Sequence, residues 1–299
     1  MPIIYDFEYH RPKTLKEALE LLAKYKGEAA VLAGGTDLLV RMKENLQMPK
    51  AVIDIKKAKG LPGLKISAKN MTIGALATFA EMLESDELRE KYPLIWEAAR
   101  TVGSTGVRNR ATMAGNICSA VPSLDSGPAL LAYEATITVQ SVKGKREISI
   151  ADWFTGPRKT ALNHGELVTE INVPLPSKKC GAVYAKLGRY RGEDLAQACV
   201  GVLVFEDALG CRIALGALGP APKRAATIEK FLAGKELSEE NIAAASALVD
   251  AEISPITDIR ATREYRLHMA RILLERALRE AKNRLEGRNT MPVGASVLE

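Results

Sequence analysis

The chain of 299 residues is predicted to have an α+β fold, and three observations lead to this prediction. Up to residue 173, short apolar segments typical of strands are interspersed with helical patterns. The proline-rich segment 174–179 then interrupts the pattern, because proline cannot continue a central sheet. Beyond it, three strand-like segments are followed by helices alone, an order typical of an α+β fold.

Leucines at helical spacing predict a first helix at residues 15–25, with Thr14 and Glu17 as a capping box. Gly27 marks the end of this helix. The next predicted elements are a strand at 31–33, a helix at 37–43, strands at 51–55 and 71–74, a helix capped by Thr78 and Glu81, and a helix at 93–100.

A hairpin is predicted at residues 135–142 and 147–150, because Lys143, Gly144 and Lys145 supply a turn between them. A strand at 166–173 precedes the main domain boundary, which we place in the linker 174–179. The remaining predicted elements are strands at 182–187, 196–205 and 211–218, then helices at 227–232, 239–248 and 263–285.

Composition and charge favour a protein without nucleic-acid or membrane partners. The net charge of +6 is modest and scattered, and the 5% of aromatic residues do not suggest platforms for stacking bases. No apolar run approaches the roughly 18 residues of a membrane span. The first residues lack the basic region and apolar core of a signal peptide. We therefore expect a cytoplasmic location.

Cysteines and histidines do not suggest a metal site. The four cysteines lack C-x-x-C pairs and any zinc or ferredoxin spacing: Cys118, Cys180, Cys199 and Cys211. Cys199 and Cys211 lie in apolar segments typical of buried, reduced thiols, and Cys118 is expected to fill space in a loop. The three histidines are far apart in sequence, so structural or surface roles are favoured over metal ligation.

A first candidate site lies where an apolar run ends at Gly34 and Gly35 and turns through Thr36 and Asp37. Glycine pairs allow positive φ and close approach by another molecule, and the N–H groups that follow favour an anion. The segment predicts a phosphate-binding turn, although a turn without a ligand fits the local sequence equally well. Neither G-x-x-x-x-G-K-[ST] nor G-x-G-x-x-G is present, so P-loop and Rossmann sites lose their main support.

A second candidate segment covers residues 110–125. It contains small residues, a Gly-Asn pair and several hydroxyls, and glycine and proline interrupt it too often for a regular helix to be expected. It ends at Asp125, which precedes Gly127 and Pro128.

Together the two segments resemble the FAD-binding subunits of the molybdenum hydroxylases, a family that includes the medium subunits of xanthine and carbon monoxide dehydrogenases. The family signatures A-G-G-T-[DE] and T-[IV]-G-G-N…P-x-x-D, leading to P-x-L-L-A, are matched here in that order. The resemblance runs from residues 7–12 to residues 258–266. Ala114 stands where the family usually has the first glycine of its pair, and its methyl group is expected to loosen or shift the contact with the diphosphate.

The resemblance implies a two-part FAD-binding domain of the vanillyl-alcohol-oxidase/PCMH type at residues 1–176, with subdomains at about 1–56 and 57–176. FAD is expected to lie between these subdomains. A smaller α+β C-terminal domain at 177–286 is expected to contain a three-stranded antiparallel sheet with helices. Residues 287–299 lack periodicity and are expected to form a tail.

The resemblance also implies which residues contact FAD. They come from the two motifs and from later positions: Val31, Leu32, Ala33, Gly34, Gly35, Thr36, Asp37, Leu38, Val102, Ala111, Thr112, Gly115, Asn116, Cys118, Ser119, Asp125, Leu167, Val168 and Lys186. No side chain is assigned to catalysis or to a metal.

Three of these positions have alternatives that the sequence leaves open. Asp37 fits a simple N-cap of the next helix at least as well as a contact with the cofactor. Asp125 is expected to accept hydrogen bonds from ribityl or sugar hydroxyls, but it also suits a turn before Gly-Pro. Lys186 is expected near the flavin, where a cation stabilises the reduced ring; alternatively it is a strand lysine whose amine reaches solvent. Leu167 and Val168 are expected to pack on the ring system.

The resemblance implies an electron-transfer flavoprotein subunit of a molybdenum hydroxylase. A molybdopterin-containing large subunit oxidises the substrate, and a small subunit passes the electrons through [2Fe–2S] clusters to FAD. The acceptor is expected to be NAD, a quinone or oxygen, and the chain alone is not expected to hydroxylate a substrate. Two alternatives are a self-sufficient flavin oxidoreductase of the same fold and a non-catalytic assembly protein whose glycine segments are only turns.

Overall fold

The structure is a computed structural model that describes residues 2–190, 193–206 and 210–288. Its N-terminal part, residues 8–57, is a parallel three-stranded sheet in the order β1–β3–β2. The elements are β1 (Glu8–His10), α1 (Leu15–Tyr25), β2 (Ala29–Leu32), α2 (Leu38–Lys43) and β3 (Ala51–Asp54), followed by a 3₁₀ turn (Ile55–Lys57). Strand β2 of this sheet leads directly into the turn that contains Gly34 and Gly35.

Helix α1 has the predicted bounds because its start is encoded locally. The Thr14 side chain accepts a hydrogen bond from the Glu17 N–H at 3.2 Å. The Glu17 carboxylate, however, accepts from the Lys13 N–H at 2.7 Å rather than from Thr14. The predicted capping box is therefore correct in one of its two bonds. The second predicted box, between Thr78 and Glu81, has both bonds.

The middle part, residues 64–174, contains an antiparallel five-stranded sheet in the order β4–β5–β10–β6–β7, covered by helices. Strands β8 and β9 form a separate ribbon. The elements are β4 (Leu64–Ile66), β5 (Asn70–Gly74), α3 (Phe79–Leu83), α4 (Asp86–Lys91), α5 (Pro93–Arg100), α6 (Thr105–Arg108), α7 (Met113–Ser119), α8 (Ser126–Ala132), β6 (Thr136–Ser141), β7 (Gly144–Ser149), α9 (Ile150–Trp153), β8 (Phe154–Gly156), β9 (Lys159–Thr160) and β10 (Leu167–Pro174).

Helix α7 corrects the expectation that residues 110–125 contain no regular helix. The Thr112 hydroxyl caps the helix by accepting from the Gly115 N–H at 3.0 Å. Met113 and Ile117 are fully buried on its inner face. A cap and buried apolar side chains together offset the roughly 1 kcal/mol that glycine costs inside a helix.

The C-terminal part, residues 180–285, has four antiparallel strands in the order β11–β12–β13–β14, so the predicted three-stranded sheet was short by one. The added strand is only two residues long and pairs with Ala214 and Leu215. The elements are β11 (Cys180–Leu187), β12 (Ala198–Phe205), β13 (Cys211–Gly216), β14 (Lys223–Arg224), α10 (Ala226–Leu232), α11 (Glu239–Ala247), α12 (Val249–Glu252) and α13 (Arg263–Leu285). Helix α13 packs its buried leucines and alanines against the sheet.

A buried polar cluster joins the middle and C-terminal parts. Arg284 donates hydrogen bonds to the Glu97 carboxylate at 2.7 Å and to the Ala182 carbonyl at 2.6 Å. The second Glu97 oxygen accepts from the Tyr184 N–H at 2.8 Å. Burial raises the pKa of the Glu97 carboxyl, and the Arg284 charge opposes that rise. These bonds set the position of β11 relative to α5.

One prediction falls largely outside the described residues: residues 289–299 of the expected tail. Within the described parts of the chain, no helix is long and apolar enough to cross a membrane.

Candidate cofactor site

A cleft with a volume of about 510 Å³ is lined by residues of both the N-terminal and the middle parts. One wall is the turn between β2 and α2, and another is α7 with the residues just before it. The turn between β8 and β9, the connection from β9 to β10 and the first residues of β10 form a further side. Residues at the end of α1, in β2 and just after β3 and β5 add to the lining. Ligand sites of proteins typically have volumes of about 300–1,000 Å³, so the cleft is large enough for a cofactor.

The turn at residues 34–37 presents main-chain donors that are free to bind a ligand. Within the described part of the chain, the N–H groups of Gly34, Gly35, Thr36 and Asp37 donate to no protein acceptor. Gly35 has a φ of 79°, which L side chains rarely adopt. Successive free N–H groups in a turn form a concave site for an anion such as phosphate.

Gly34 is required by a close contact between the two walls of the cleft. A Cβ atom added at Gly34 would lie 2.1 Å from the Arg110 carbonyl oxygen and 2.9 Å from the Ala111 Cα. Both neighbours are backbone atoms, which cannot move aside without displacing the start of α7. Any side chain at this position would therefore push the walls apart.

Cys118 and Ser119 lie on the α7 wall. Cys118 is open to the cleft, so the expectation that it fills space was wrong. The Ser119 hydroxyl donates to the Asp37 carboxylate at 2.9 Å and so joins the two walls.

Asp37 occupies the N-cap position of α2, but its side chain makes no capping hydrogen bond. The carboxylate accepts from Ser119 and faces the Arg158 guanidinium at 3.5 Å instead. The N-cap alternative for its side chain was therefore wrong. Asp37 connects the N-terminal part to two separate segments of the middle part.

Most of the residues predicted to contact the cofactor lie together along the cleft. The exceptions are Leu32, Val102, Asp125 and Lys186, which do not line it. Leu32 and Val102 are buried in apolar clusters. Contact of these four residues with the cofactor stays a prediction.

Asp125 and Lys186 form a buried ion pair between the middle and C-terminal parts. The Lys186 Nζ donates to an Asp125 oxygen at 3.1 Å and to the Thr101 carbonyl at 3.0 Å. Lys186 is only 3% exposed, so the alternative in which its amine reaches solvent was wrong. Tyr184 donates its hydroxyl to the other Asp125 oxygen at 2.8 Å.

Burial raises the pKa of the Asp125 carboxyl, while the Lys186 ammonium and the Tyr184 hydroxyl oppose that rise. Asp125 is followed by Ser126, whose hydroxyl donates to the Asn116 side chain and so connects the ion pair to the cleft wall. Asn116 itself lines the cleft. Asp125 and Lys186 can thus influence the site through the residues that form its wall.

Sequence reasoning missed several polar residues of the cleft. They are Arg41, Gln47, Arg158, Thr160, Asn163, His164 and Glu166. No sequence motif marks Asn163 or His164, because the β9–β10 connection reaches the cleft only through the pairing of β10 with distant strands. Arg158 lies in the turn between β8 and β9, and no motif marks it either. Arg158 is distinguished by its left-handed backbone, with a φ of 57°, but this feature is visible only in the structure.

Glu166 ends the β9–β10 connection and pairs with Arg146 through two hydrogen bonds of 2.7 Å. Its carboxylate also accepts from the Asn163 N–H at 2.7 Å. The Arg146 guanidinium is the largest cause that holds the pKa of Glu166 below its usual value of 4.5. This pair therefore stabilises one side of the cleft only while Glu166 is ionised.

We expect Glu166→Gln to lower the free energy of unfolding by no more than about 1 kcal/mol at neutral pH, because solvent screens the partly exposed Arg146. The contribution of Glu166 is fully present above pH 4.5 and is lost as the pH falls through its lowered pKa in the folded state. Urea unfolding of both proteins checks this. A difference that persists unchanged at pH values well below 4.5 would contradict it.

The fold, the cleft and its free turn donors define a protein that binds a phosphate-bearing cofactor. Residues 5–176 match the family described as "FAD binding domain in molybdopterin dehydrogenase". Residues 182–281 match the "CO dehydrogenase flavoprotein C-terminal domain". The chain belongs to this family of FAD-binding subunits of molybdenum hydroxylase-type complexes, and the predictions of FAD as cofactor and of an oxidoreductase subunit are confirmed.

Similar proteins cover almost the whole chain. The glyceraldehyde dehydrogenase medium chain of Sulfolobus acidocaldarius is 34% identical over 92% of this chain and 98% of its own length. The carbon monoxide dehydrogenase medium chain of Afipia carboxidovorans is 32% identical over 93% and 98%. Among solved structures, reconstituted CO dehydrogenase from Oligotropha carboxidovorans gives a TM-score of 0.90 at 32% identity, covering 95% of this chain and 100% of that one.

The turn at residues 34–37 has several main-chain N–H groups without a protein acceptor in the described residues, and N–H groups of this kind suit an anion such as the diphosphate of FAD. Leu167 and Val168 add apolar surface to the cleft. The chemistry of the lining thus suits both a charged and an apolar portion of this cofactor.

Proposed function

We propose that the chain receives electrons from the [2Fe–2S] clusters of a partner small subunit and delivers them to an external acceptor, which is NAD, a quinone or oxygen. In this proposal a molybdopterin-containing large subunit oxidises the substrate. When bound, FAD supplies the redox chemistry at its isoalloxazine ring. The proposal is supported by the relatives, which are medium chains and FAD-binding subunits of dehydrogenases.

The observation that carries the proposal is the cleft itself, with free main-chain donors on one wall and apolar residues on another. We propose that the N–H groups of residues 34–37 bind the diphosphate and that Leu167 and Val168 pack on the ring system. Asp125 is proposed to accept hydrogen bonds from ribityl or sugar hydroxyls, and Lys186 is proposed to lie near the flavin, where its charge stabilises the reduced ring. The protein's part is to hold the cofactor and set its potential.

We also propose two domains, at residues 1–176 and 177–286, with the boundary in the segment 174–179. The support is the change of sheet: Pro174 is the last residue of β10, and the C-terminal sheet begins with β11 at Cys180. The Arg284–Glu97 bonds and the Asp125–Lys186 pair then lie between the domains. Three buried ionisable groups, Glu97, Asp125 and Lys186, together with the partly buried Arg284, favour a fixed relative position of the two domains.

The electron route is tested on the assembled complex, purified through a tag on this chain from its native host. FAD is removed with a chaotropic salt, and half of the sample is reloaded with FAD. Both samples are reduced with dithionite without oxygen and mixed with NAD, a quinone analogue or oxygen. The absorbance of the iron–sulfur clusters reports their reoxidation.

We expect the clusters to be reoxidised rapidly only in the FAD-loaded sample, and the acceptor that supports the fastest reoxidation is the assigned acceptor. Equal rates in both samples would overturn the proposed route, because electrons would then leave without FAD. A purified complex that contains no iron–sulfur clusters would overturn the proposed partners. Substrate turnover by the isolated chain would favour the self-sufficient oxidoreductase instead.

A further inference from the structure

The guanidinium of Arg158 lies in the cleft with its hydrogen-bonding capacity unused. Across the described residues, its side chain makes no hydrogen bond, and its one ion pair is the 3.5 Å contact with Asp37. The Arg158 main chain is held in the left-handed region, with a φ of 57°, and its N–H donates to the Ala120 carbonyl at 2.8 Å. Non-glycine residues in this conformation are often found at functional sites.

The other arginine of the cleft is already engaged. Arg41 donates its Nε to the Gln47 side chain at 3.2 Å. Arg146 contacts the cleft residue Glu166 but is committed to it by two short hydrogen bonds. Arg41 keeps four further donors, whereas all five side-chain donors of Arg158 lack a hydrogen-bond acceptor within the described residues.

The guanidinium of Arg158 lies beside the Asp37 carboxylate, and this arrangement bears on how the turn binds an anion. Asp37 belongs to the same turn whose free N–H groups fit an anion. An ionised Asp37 would repel a diphosphate bound next to it. Asp37 is, however, bonded to Ser119 on one side and paired with Arg158 on the other, which places a cation at the same turn.

We propose that Arg158 is the cation that binds the diphosphate of FAD and that its guanidinium offsets the negative charge of Asp37 beside the turn. A guanidinium presents paired N–H donors that match the oxygens of a phosphate, which an ammonium group cannot do. The inference rests on the FAD-binding role of this cleft and on the proposed placement of the diphosphate at residues 34–37.

The test is the affinity of flavin-free full-length chain for FAD, measured by fluorescence titration at low and high salt. Arg158→Gln is expected to raise the dissociation constant about tenfold at low salt, and less at high salt, because exposed charge interactions are screened. Arg158→Lys keeps the positive charge but lacks the paired N–H donors of the guanidinium, so its effect on the dissociation constant is expected to be smaller than that of Arg158→Gln. Circular dichroism establishes that each variant is folded.

Two further variants make the test specific. Arg271 lies on α13, outside the cleft lining, and pairs with Asp250. The side chains of Arg271 and Asp250 are 47% and 39% exposed, close to the 44% and 41% of Arg158 and Asp37. Arg271→Gln is therefore a matched control for the loss of one arginine and is expected to bind FAD like the wild type. Asp37→Asn removes the negative charge near the diphosphate and is expected to bind FAD no more weakly than the wild type.

Three outcomes would overturn the inference. An affinity of Arg158→Gln within twofold of the wild type would show that the guanidinium does not bind FAD. An equal loss in Asp37→Asn and Arg158→Gln would show that the ion pair merely closes the cleft. A wild-type chain that binds no FAD would overturn both the FAD role of the isolated chain and this inference, whereas tight wild-type binding with an unaffected Arg158→Gln would overturn the inference alone.

Discussion

Replacing Gly34 with alanine is expected to abolish retention of FAD. The added Cβ would lie 2.1 Å from the Arg110 carbonyl oxygen, and because the neighbouring atoms belong to the backbone of residues 110 and 111, no side-chain rotation relieves the contact. Overpacking of this kind costs about 1–3 kcal/mol or more, and 1.4 kcal/mol already corresponds to a tenfold loss of affinity. The flavin released on denaturation of the purified variant, and titration of its flavin-free form with FAD, measure the effect.

Gly106→Ala is the control for this prediction. Gly106 lies in helix α6 of the middle part, and its added Cβ would meet only the Ser104 hydroxyl, at 3.9 Å. We expect its flavin content to equal that of the wild type. Normal flavin content in Gly34→Ala would show that the contact between the turn and residues 110–111 can relax without loss of the cofactor, and the proposed diphosphate site would lose its main geometric support.

Replacing Asp125 with alanine is expected to lower the free energy of unfolding by about 3–5 kcal/mol, because it leaves the Lys186 ammonium buried without its counter-ion. Lys186 is 3% exposed, and the Thr101 carbonyl and Asp125 are its hydrogen-bond partners in the described structure. Urea unfolding of the flavin-free chain measures the loss without the stabilisation that bound FAD adds.

The double variant Asp125→Ala with Lys186→Met is the control for the ion pair. Removing both charges is expected to recover part of the stability lost in Asp125→Ala, since no buried charge then remains uncompensated. If Asp125→Ala lost less than about 1 kcal/mol, or if the double variant were less stable by the sum of both single losses, the pair would not be a coupled buried interaction.

Sequence reasoning succeeded where the signal is local. Helices at 15–25, 93–100 and 263–285 have their predicted bounds, because Thr14 and Thr262 cap their helices with side-chain hydrogen bonds and Pro93 occupies a first helical position. The family was identified from two short motifs, and the fold class and cofactor followed from it. In these cases the residues that determine the outcome are neighbours in the chain.

Sequence reasoning failed where the deciding partner is distant. Helix α7 forms despite its glycine because Met113 and Ile117 are buried by other elements. The two-residue strand β14 exists only through its pairing with β13. Neither feature has a periodicity long enough to be recognised in the sequence.

The sequence by itself determined the family, the cofactor and two of the segments that line the cleft, because phosphate-binding turns depend on residue types at fixed local spacing. Only the tertiary structure decided that Lys186 is buried against Asp125 and that Arg158 faces Asp37. The members of these pairs are separated by about 60 residues or more in the chain. Burial and charge pairing over such separations are set by how the sheets pack, and a local pattern carries no record of that packing.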